Sequence, residues 1–500
     1  MDTLFKIRFK ALRPVFLISI AVTIWVMPGM AQTEKTAAEK YEEFRKKALG
    51  EYDSFRQKCN DEYVAFIRQA WQQFKMQPTK PKPKEEPIPP VVLPIEEREK
   101  PIESRPIPFD NVLPAPTITP QPQPIEPIKI TPVPIKMPHS FVFFGTSLEV
   151  SLTPEERFHL KSCEEDAIAD TWQILADGRF DGLLTECLSI REKRNLCDWA
   201  YLLMLRELTD SFLGKGSNEA TLLAGFLYCQ SGYKMRFARQ NGHLCILYST
   251  LNYLYDRASW IIDGERFYAE DNTQGDIYVC KASYPRETAL SLAIPKIPAL
   301  DEDLSEQRTR TSSRYPEIQA NITNNKNLIN FYATYPTSMY NDDFGTRWAF
   351  YANTPASEEI RQQLYPYLRE AIQGVSQQEA GNRLLNWVQT GFEYAYDNEI
   401  WGEDRAFFPD ESLFYPYCDC EDRSILFSRL VRDLMGLEVI LLYYPGHLAT
   451  AVCFTENVPG DYLIIKGKRY VVCDPTFINA PVGYTMDGMD NSTAHVILLE

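Results

Sequence analysis

The chain has 500 residues, 44 % hydrophobic and 13 % aromatic, which is more than one core usually serves and enough for two or three. It carries 68 acidic against 52 basic residues, a formal charge of −16. With no basic patch in the sequence, that balance argues against nucleic acid as a partner.

Lys6, Arg8, Lys10 and Arg13 precede an apolar run over 15–27, followed by Gly29-Met30-Ala31. This is the pattern of a secretory signal cleaved after Ala31, and it predicts a periplasmic or cell-surface protein. The run is shorter than the roughly 20 residues of a membrane span. No cysteine follows it, so a lipid anchor is not expected. Residues 32–76 then read as a long amphipathic helix. Tyr41, Tyr52, Tyr63 and Phe74 recur every 11 positions, as do Phe44, Phe55 and Phe66, and Ala48, Cys59 and Ala70. A period of 11/3 keeps one stripe on a nearly straight helix. The stripe predicts self-association through 32–76, the alternative being a helix that folds back on the globular part. Residues 77–138 hold 19 of the chain's 35 prolines and read as an extended, semi-rigid spacer.

A globular block over 139–295 follows, then a connecting segment over 296–355 in which 327–334 and 347–353 read as strands. Residues 357–373 and 377–394 look helical, with Leu384, Leu385, Trp387, Val388 and Phe392 as core positions. The stretch 395–418 is long, acidic and aromatic, which predicts a wall of a cleft. It leads into Asp419-Cys420-Glu421-Asp422, at the mouth of a predicted helix over 421–435 that Gly436 stops. Two apolar runs of strand length follow, over 437–444 and 448–454, and then a hairpin around Lys466-Gly467-Lys468. Cys420, His447 and Asp474 are spaced 27 positions apart in each step (447 − 420 and 474 − 447). The pattern predicts a helix packed on an antiparallel sheet, with the thiol at the helix start and the imidazole and carboxylate on neighbouring strands. A helix N-terminus and a nearby imidazolium would lower the thiol pKa from about 8.5 to between roughly 3.5 and 7.5. His447 would take the proton and return it, and Asp474 would hold the ring.

These three motifs resemble the transglutaminase-like domain of the papain-like cysteine superfamily, over roughly 370–490. There a cysteine stands two residues before an acidic position, here Cys420 and Asp422. A histidine follows on a strand, and then an aspartate as in Asp474-Pro475-Thr476. The resemblance is closest to exported bacterial members. It implies an α+β fold with a papain-like/transglutaminase-like core and the catalytic residues Cys420, His447 and Asp474. It also implies an oxyanion site built from an upstream side chain and a backbone N–H, for which Trp401, Tyr415 and Gln389 are equal candidates. No metal or organic cofactor is implied, and four ligands at structural-zinc spacing are absent.

The block 139–295 matches the C-terminal one. Gly232 precedes Gly242-His243-Leu244 as Gly436 precedes Gly446-His447-Leu448. Asp271 and Thr273 fall on Asp474 and Thr476, with an offset of 204 up to the histidine and 203 after it. This register predicts an internal duplication whose first copy has a helix over 219–231 and lacks the nucleophile. Gly216 stands in the place of Cys420 and Asn218 in that of Asp422, so Gly216→Cys is expected to create a reactive thiol. Export would permit disulfides, yet eleven cysteines leave one unpaired. Cys418, two residues before the nucleophile, is a loop residue or a redox neighbour.

The expected function is an exported cysteine-dependent acyl-transfer enzyme that hydrolyses peptide or other amide bonds through a thioester. Its substrate would be a peptide, a protein or a cell-envelope polymer. Protein crosslinking by the same triad is the alternative among enzymes. From a different class comes a binding or scaffold protein whose triad is vestigial.

Overall fold

Residues 37–82, 88–98, 100–116, 122, 138–340 and 343–500 are described by the structure, a computed structural model. The predicted signal segment lies outside them. Among the described residues no helix is long and apolar enough to cross a membrane. The chain divides into residues 1–51 and a unit spanning Tyr52–Glu500.

The predicted N-terminal helix is present as α1 (Ala37–Ile67), and it ends earlier than expected. Phe74, the last aromatic of the 11-residue series, lies on the short strand Gln72–Phe74. From Tyr52 onward α1 folds back on the body, burying Cys59, Tyr63, Val64 and Ile67 on one face and leaving Phe66 exposed. Polar anchors on the same face fix it. Arg56 forks onto Asp181 at 3.0 and 2.7 Å, and Asn60 Oδ1 accepts from the Trp172 indole at 3.3 Å. On the part of α1 before residue 52, Tyr41 and Phe44 are exposed.

The body is a mixed α+β structure built around two sheets, each crossed by one helix. The first helix, α2 (Asn218–Gln230), is almost wholly buried. Its sheet contains β1 (Met235–Gln240), β2 (His243–Ser249), β3 (Ser259–Ile262), β4 (Glu265–Ala269) and β5 (Ile277–Val279), ordered β5-β1-β2-β4-β3 and antiparallel throughout. Near its other end the chain forms α3 (Arg347–Asn353), α4 (Gln377–Thr390) and α5 (Cys420–Met435). The second sheet contains β6 (Glu438–Tyr444), β7 (His447–Cys453), β8 (Asp461–Ile465), β9 (Lys468–Cys473) and β10 (His495–Leu498), ordered β10-β6-β7-β9-β8.

The order and the registers of the two sheets agree. Gln240 faces His243 and Tyr444 faces His447, a displacement of 204 on both strands (444 − 240 and 447 − 243). Ile262 faces Glu265 and Ile465 faces Lys468, a displacement of 203 (465 − 262 and 468 − 265). A one-residue slip would turn every side chain to the opposite face, so matching registers mean matching inward sets. The helices differ at their starts. Gly216 sits in a left-handed turn at φ 69, and α2 begins two residues later, behind the Ser217 cap. The predicted helix over 219–231 is therefore displaced by one residue at each end.

Two expectations fail here. Residues 327–334 and 347–353 form helices (Lys326–Tyr332 and α3), because Asn325 caps the first through Asn327 N–H and neither run alternates. The segment 296–355 does contain a hairpin, Arg308–Thr311 with Gln319–Ile322. The described parts of 77–116 are also not a free spacer. Arg105–Pro106 adds a parallel edge to β8, and Asn111–Leu113 adds one to β10. Proline lacks a backbone donor and tolerates only edge positions, so this segment is chemically suited to closing sheet edges.

Candidate active site

Cys420 is the first residue of α5, whose C-terminus is closed by Gly436 in the left-handed conformation at φ 66. The helix buries Ile425, Leu426, Phe427, Leu430 and Val431, each worth about 1.5–3 kcal/mol. This burial fixes where the thiol stands. His447 opens β7 because the two-residue turn Pro445-Gly446, with Gly446 at φ 78, reverses the chain after Tyr444. Asp474 follows β9 and closes a turn of its own. Its Oδ1 accepts from the Thr476 and Phe477 N–H groups at 2.9 and 3.2 Å, which leaves Oδ2 to meet His447 Nε2 at 2.8 Å. An ionised carboxylate only accepts, so Nε2 carries the proton and Nδ1 presents a lone pair. That Nδ1 is buried and has no partner among the described residues.

Cys420 and His447 line one cavity of about 310 Å³. The Leu448 N–H, next in the chain to His447, points at the sulfur and favours its ionised form. Asp397, Asn398, Gly402, Glu403 and Asp404 form one wall, so part of the acidic stretch 395–418 borders the thiol. The three oxyanion candidates fare differently. Gln389 Nε2 donates to the Asp474, Phe477 and Ala480 carbonyls at 3.0, 2.7 and 3.0 Å, so it braces the aspartate loop and is already engaged. Trp401 and Tyr415 pack around Arg405 in an aromatic cluster and do not line the cavity. The lining indole is Trp348 on α3. It is buried, packed on Tyr443 at 5.0 Å, and its Nε1–H has no partner among the described residues. Sequence reading misses it because 347–353 reads as a strand of the connecting segment. Gln389→Leu, which strips a donor from two or three buried carbonyls, is expected to lower stability by about 2–4 kcal/mol in urea denaturation. A loss below about 1 kcal/mol would contradict the bracing role.

The electrostatics reverse one expectation. Burial, then the Glu421 and Asp419 carboxylates, push the Cys420 thiol well above its ordinary range, and the thiol donates to Glu421 Oε2 at 3.2 Å. The resting sulfur is therefore protonated, and the predicted lowering by the helix end and an imidazolium is outweighed. The neighbouring acids are raised too. Burial and then Glu421 bring Asp397 up to about 8, and burial and then Glu421 hold Asp419 well above the carboxylate range. The carboxylate oxygens of Asp397, Asp404 and Glu421 lie within 4.8 Å of one another, as do the ligand atoms of Asp419, Cys420 and Glu421. These are the residues that could hold a hard cation, an oxygen-rich set that cysteine and histidine spacing cannot reveal. Arg347 brings positive charge to this set, 2.8 Å from Asp404 and 3.9 Å from Glu421.

The sign for Asp419 follows from its raised folded pKa. The folded state keeps a proton that the unfolded state releases above about 3.9, so the stability Asp419 contributes falls as pH rises. Asp419→Asn mimics the protonated form. It is expected to match the parent at acidic pH, to exceed it in stability above neutrality, and to shift Cys420 alkylation to lower pH. Melting curves across pH and site-resolved alkylation check both. An unchanged alkylation profile would contradict the electrostatic account.

The first sheet carries a parallel pair. His243 Nε2 meets Asp271 Oδ2 at 2.9 Å, and Asp271 Oδ1 accepts from Thr273 N–H at 2.9 Å. The position by the Leu244 N–H, equivalent to the sulfur's by Leu448, is filled by Asn218, whose amide also donates to the Gly242 carbonyl. The His243 side chain is 45 % exposed against 0 % for His447. A Cβ at Gly216 would meet nothing within 4 Å, so the expected reactive thiol is corrected. Gly216→Cys would be strained, would project into open space, and is expected to alkylate as an ordinary thiol. All eleven cysteines are free, and burial brings Cys418 up to about 11, which suits a structural residue of the short strand Tyr417–Cys418. Comparison of this chain with protein-family models, with characterised proteins and with solved structures finds no match.

Proposed function

We propose that the chain is a cysteine-dependent acyl-transfer enzyme of the transglutaminase-like kind, acting first of all as a hydrolase of peptide or other amide bonds. The observation that carries this reading is that Cys420, His447 and Trp348 line one cavity, with His447 Nδ1 and the Trp348 indole N–H buried and without a partner among the described residues. In the proposed cycle Nδ1 takes the thiol proton and the sulfur attacks the amide carbon. The oxyanion is met by Trp348, and the C–N bond breaks as the imidazolium returns its proton to the amine. Water then attacks the thioester, releasing a carboxylic acid and restoring the thiol. Asp474 holds the ring throughout.

We read the two sheets as copies of one papain-like module. What supports this is their shared strand order, their registers at displacements of 204 and 203, and the paired His243–Asp271 and His447–Asp474 contacts. The competing reading is a binding module, and the raised thiol beside acidic walls favours it. A peptide library incubated with the chain, with and without hydroxylamine, separates the two. The acyl-transfer reading expects new carboxylates in water and hydroxamates with hydroxylamine, both dependent on Cys420. A library returned unchanged in both, with peptide retained on the protein, would favour binding. An exported location stays part of the proposal.

A further inference from the structure

We propose that Ser424 and Thr450 are positioning residues, whose hydroxyls tie together the elements that carry Cys420, His447 and Asp474. The inference rests on reading the cavity as the acyl-transfer site. Both residues are 0 % exposed, and neither lines the cavity.

The backbone of β7 shows why hydroxyls are needed there. In a hairpin closed by a two-residue turn, the first pair, Tyr444 and His447, exchanges hydrogen bonds. The next pair, Tyr443 and Leu448, turns its N–H and C=O groups outward. On that outer side β9 meets β7 only from Thr450, opposite Cys473. The same register would set Pro475 opposite Leu448, and proline has no N–H to offer. α5 supplies both partners instead. The Leu448 N–H points at the Cys420 sulfur, and the Leu448 carbonyl accepts from Ser424 Oγ at 2.7 Å. Cys420 and Ser424 stand one turn apart on the same helix face. Further along β7, Thr450 Oγ1 donates at 2.5 Å to the carbonyl of Cys473, the residue before Asp474. The strand that opens with His447 is thus tied by one hydroxyl to the helix of the nucleophile and by the other to the strand that leads into the aspartate. Helical hydroxyls commonly turn back to their own helix, as Ser428 does to Ile425 O and Thr390 to Asn386 O. Ser424 reaches across to a strand.

The first sheet supplies the comparison, within the reading of the two as copies of one module. Gly232 and Gly436, like His243 and His447, are displaced by 204, which sets Ala220 at the place of Ser424 and Ile246 at that of Thr450. Ile246 faces Phe237 as Thr450 faces Leu441, the same displacement on both strands. The copy that lacks the nucleophile therefore lacks both hydroxyls, yet it keeps its sheet and its His243–Asp271 pair. Sheet and pair form without them, so what the hydroxyls add is alignment of the three groups. A misplacement of about 1 Å can cost about 100-fold in rate.

The test uses the full chain with two readouts: hydroxamate formation from one peptide that the parent cleaves, and the His447 ring signals of protein labelled with 15N-histidine, assigned with His447→Ala. Thr450→Val keeps the shape and loses the hydroxyl, Thr450→Ser keeps the hydroxyl and loses a methyl, and Ser424→Ala removes the other tie. In Thr450→Val and Ser424→Ala, kcat is expected to fall about 10–100-fold with KM within about twofold of the parent's, and the His447 Nε2–H signal to move. Thr450→Ser is expected to keep the parent's kcat and signal. Folded Thr450→Val and Ser424→Ala proteins with the parent's kcat and signal overturn the proposal. So does a Thr450→Ser protein that falls as far as Thr450→Val, since packing alone would then account for the site. If Ser424→Ala loses its fold, the two Thr450 variants decide. A parent that forms no hydroxamate sinks the acyl-transfer reading by itself. The ring signal then decides on positioning, an unmoved signal overturning it and a shift restored in Thr450→Ser upholding it.

Discussion

Cys420→Ala is expected to abolish formation of the hydroxamate product, a loss of at least about 10⁴-fold in turnover, with the fold intact. Removing the nucleophile of a triad leaves only binding and oxyanion stabilisation, and known triads lose roughly 10⁴ to 10⁶ in this way. Stability is expected to fall by only about 1–3 kcal/mol. The sulfur is one small buried group in a cluster with Trp348, Ile425, Leu441 and Leu448. Its loss costs about 1 kcal/mol of packing. It also removes the thiol that donates to the buried Glu421 carboxylate. Turnover retained in the alanine protein would place the chemistry elsewhere, and a binding role would then account for the cavity.

Trp348→Phe is the second large effect, and its signature is a split between parameters. An aromatic ring is kept beside Tyr443, while the indole N–H is lost together with part of the buried ring volume. Removing one oxyanion donor costs about 10²–10³ in kcat. KM is expected to change little, because the N–H meets charge that develops only in the transition state. Stability is expected to change by no more than about 1–2 kcal/mol, because the cavity left by the smaller ring is offset by removal of a buried unpaired donor. A tryptophan that only packs would leave kcat unaltered, whatever the change in stability.

What the sequence made legible were the stretches whose period matches their structure. The 421–435 pattern, the Gly436 stop, the two runs over 437–444 and 448–454 and the hairpin around 466–468 reappear as α5, β6, β7 and β8–β9 within a residue or two. The placing of His447 against Asp474 follows from those elements, since both ends are set by turn chemistry. Short runs were not legible. Arg347–Asn353 contains Trp348, Phe350 and Tyr351, side chains common in strands, yet the run is helical because Trp348, Ala349 and Ala352 face α5 and the second sheet. The proline-rich stretch misled for another reason. Composition reports a stiff extended chain, and a stiff extended chain serves equally as a spacer or as an edge strand until its partners are known. The acidic environment of Cys420 was hidden similarly. Asp397, Asp404 and Glu421 are separated by 7 and 17 positions (404 − 397 and 421 − 404), and only the fold gathers them.

The central claim is that His447 activates Cys420, and site-resolved alkylation across pH tests it most directly, run on the parent and on His447→Ala. The resting thiol is held high by burial and by Glu421 and Asp419. Reactivity near neutral pH must therefore come from proton transfer to the imidazole. The parent is expected to label well below the ordinary thiol pKa of about 8.5 and to lose that low-pH labelling without the histidine. Identical profiles in the two proteins, both rising only at alkaline pH, would contradict it.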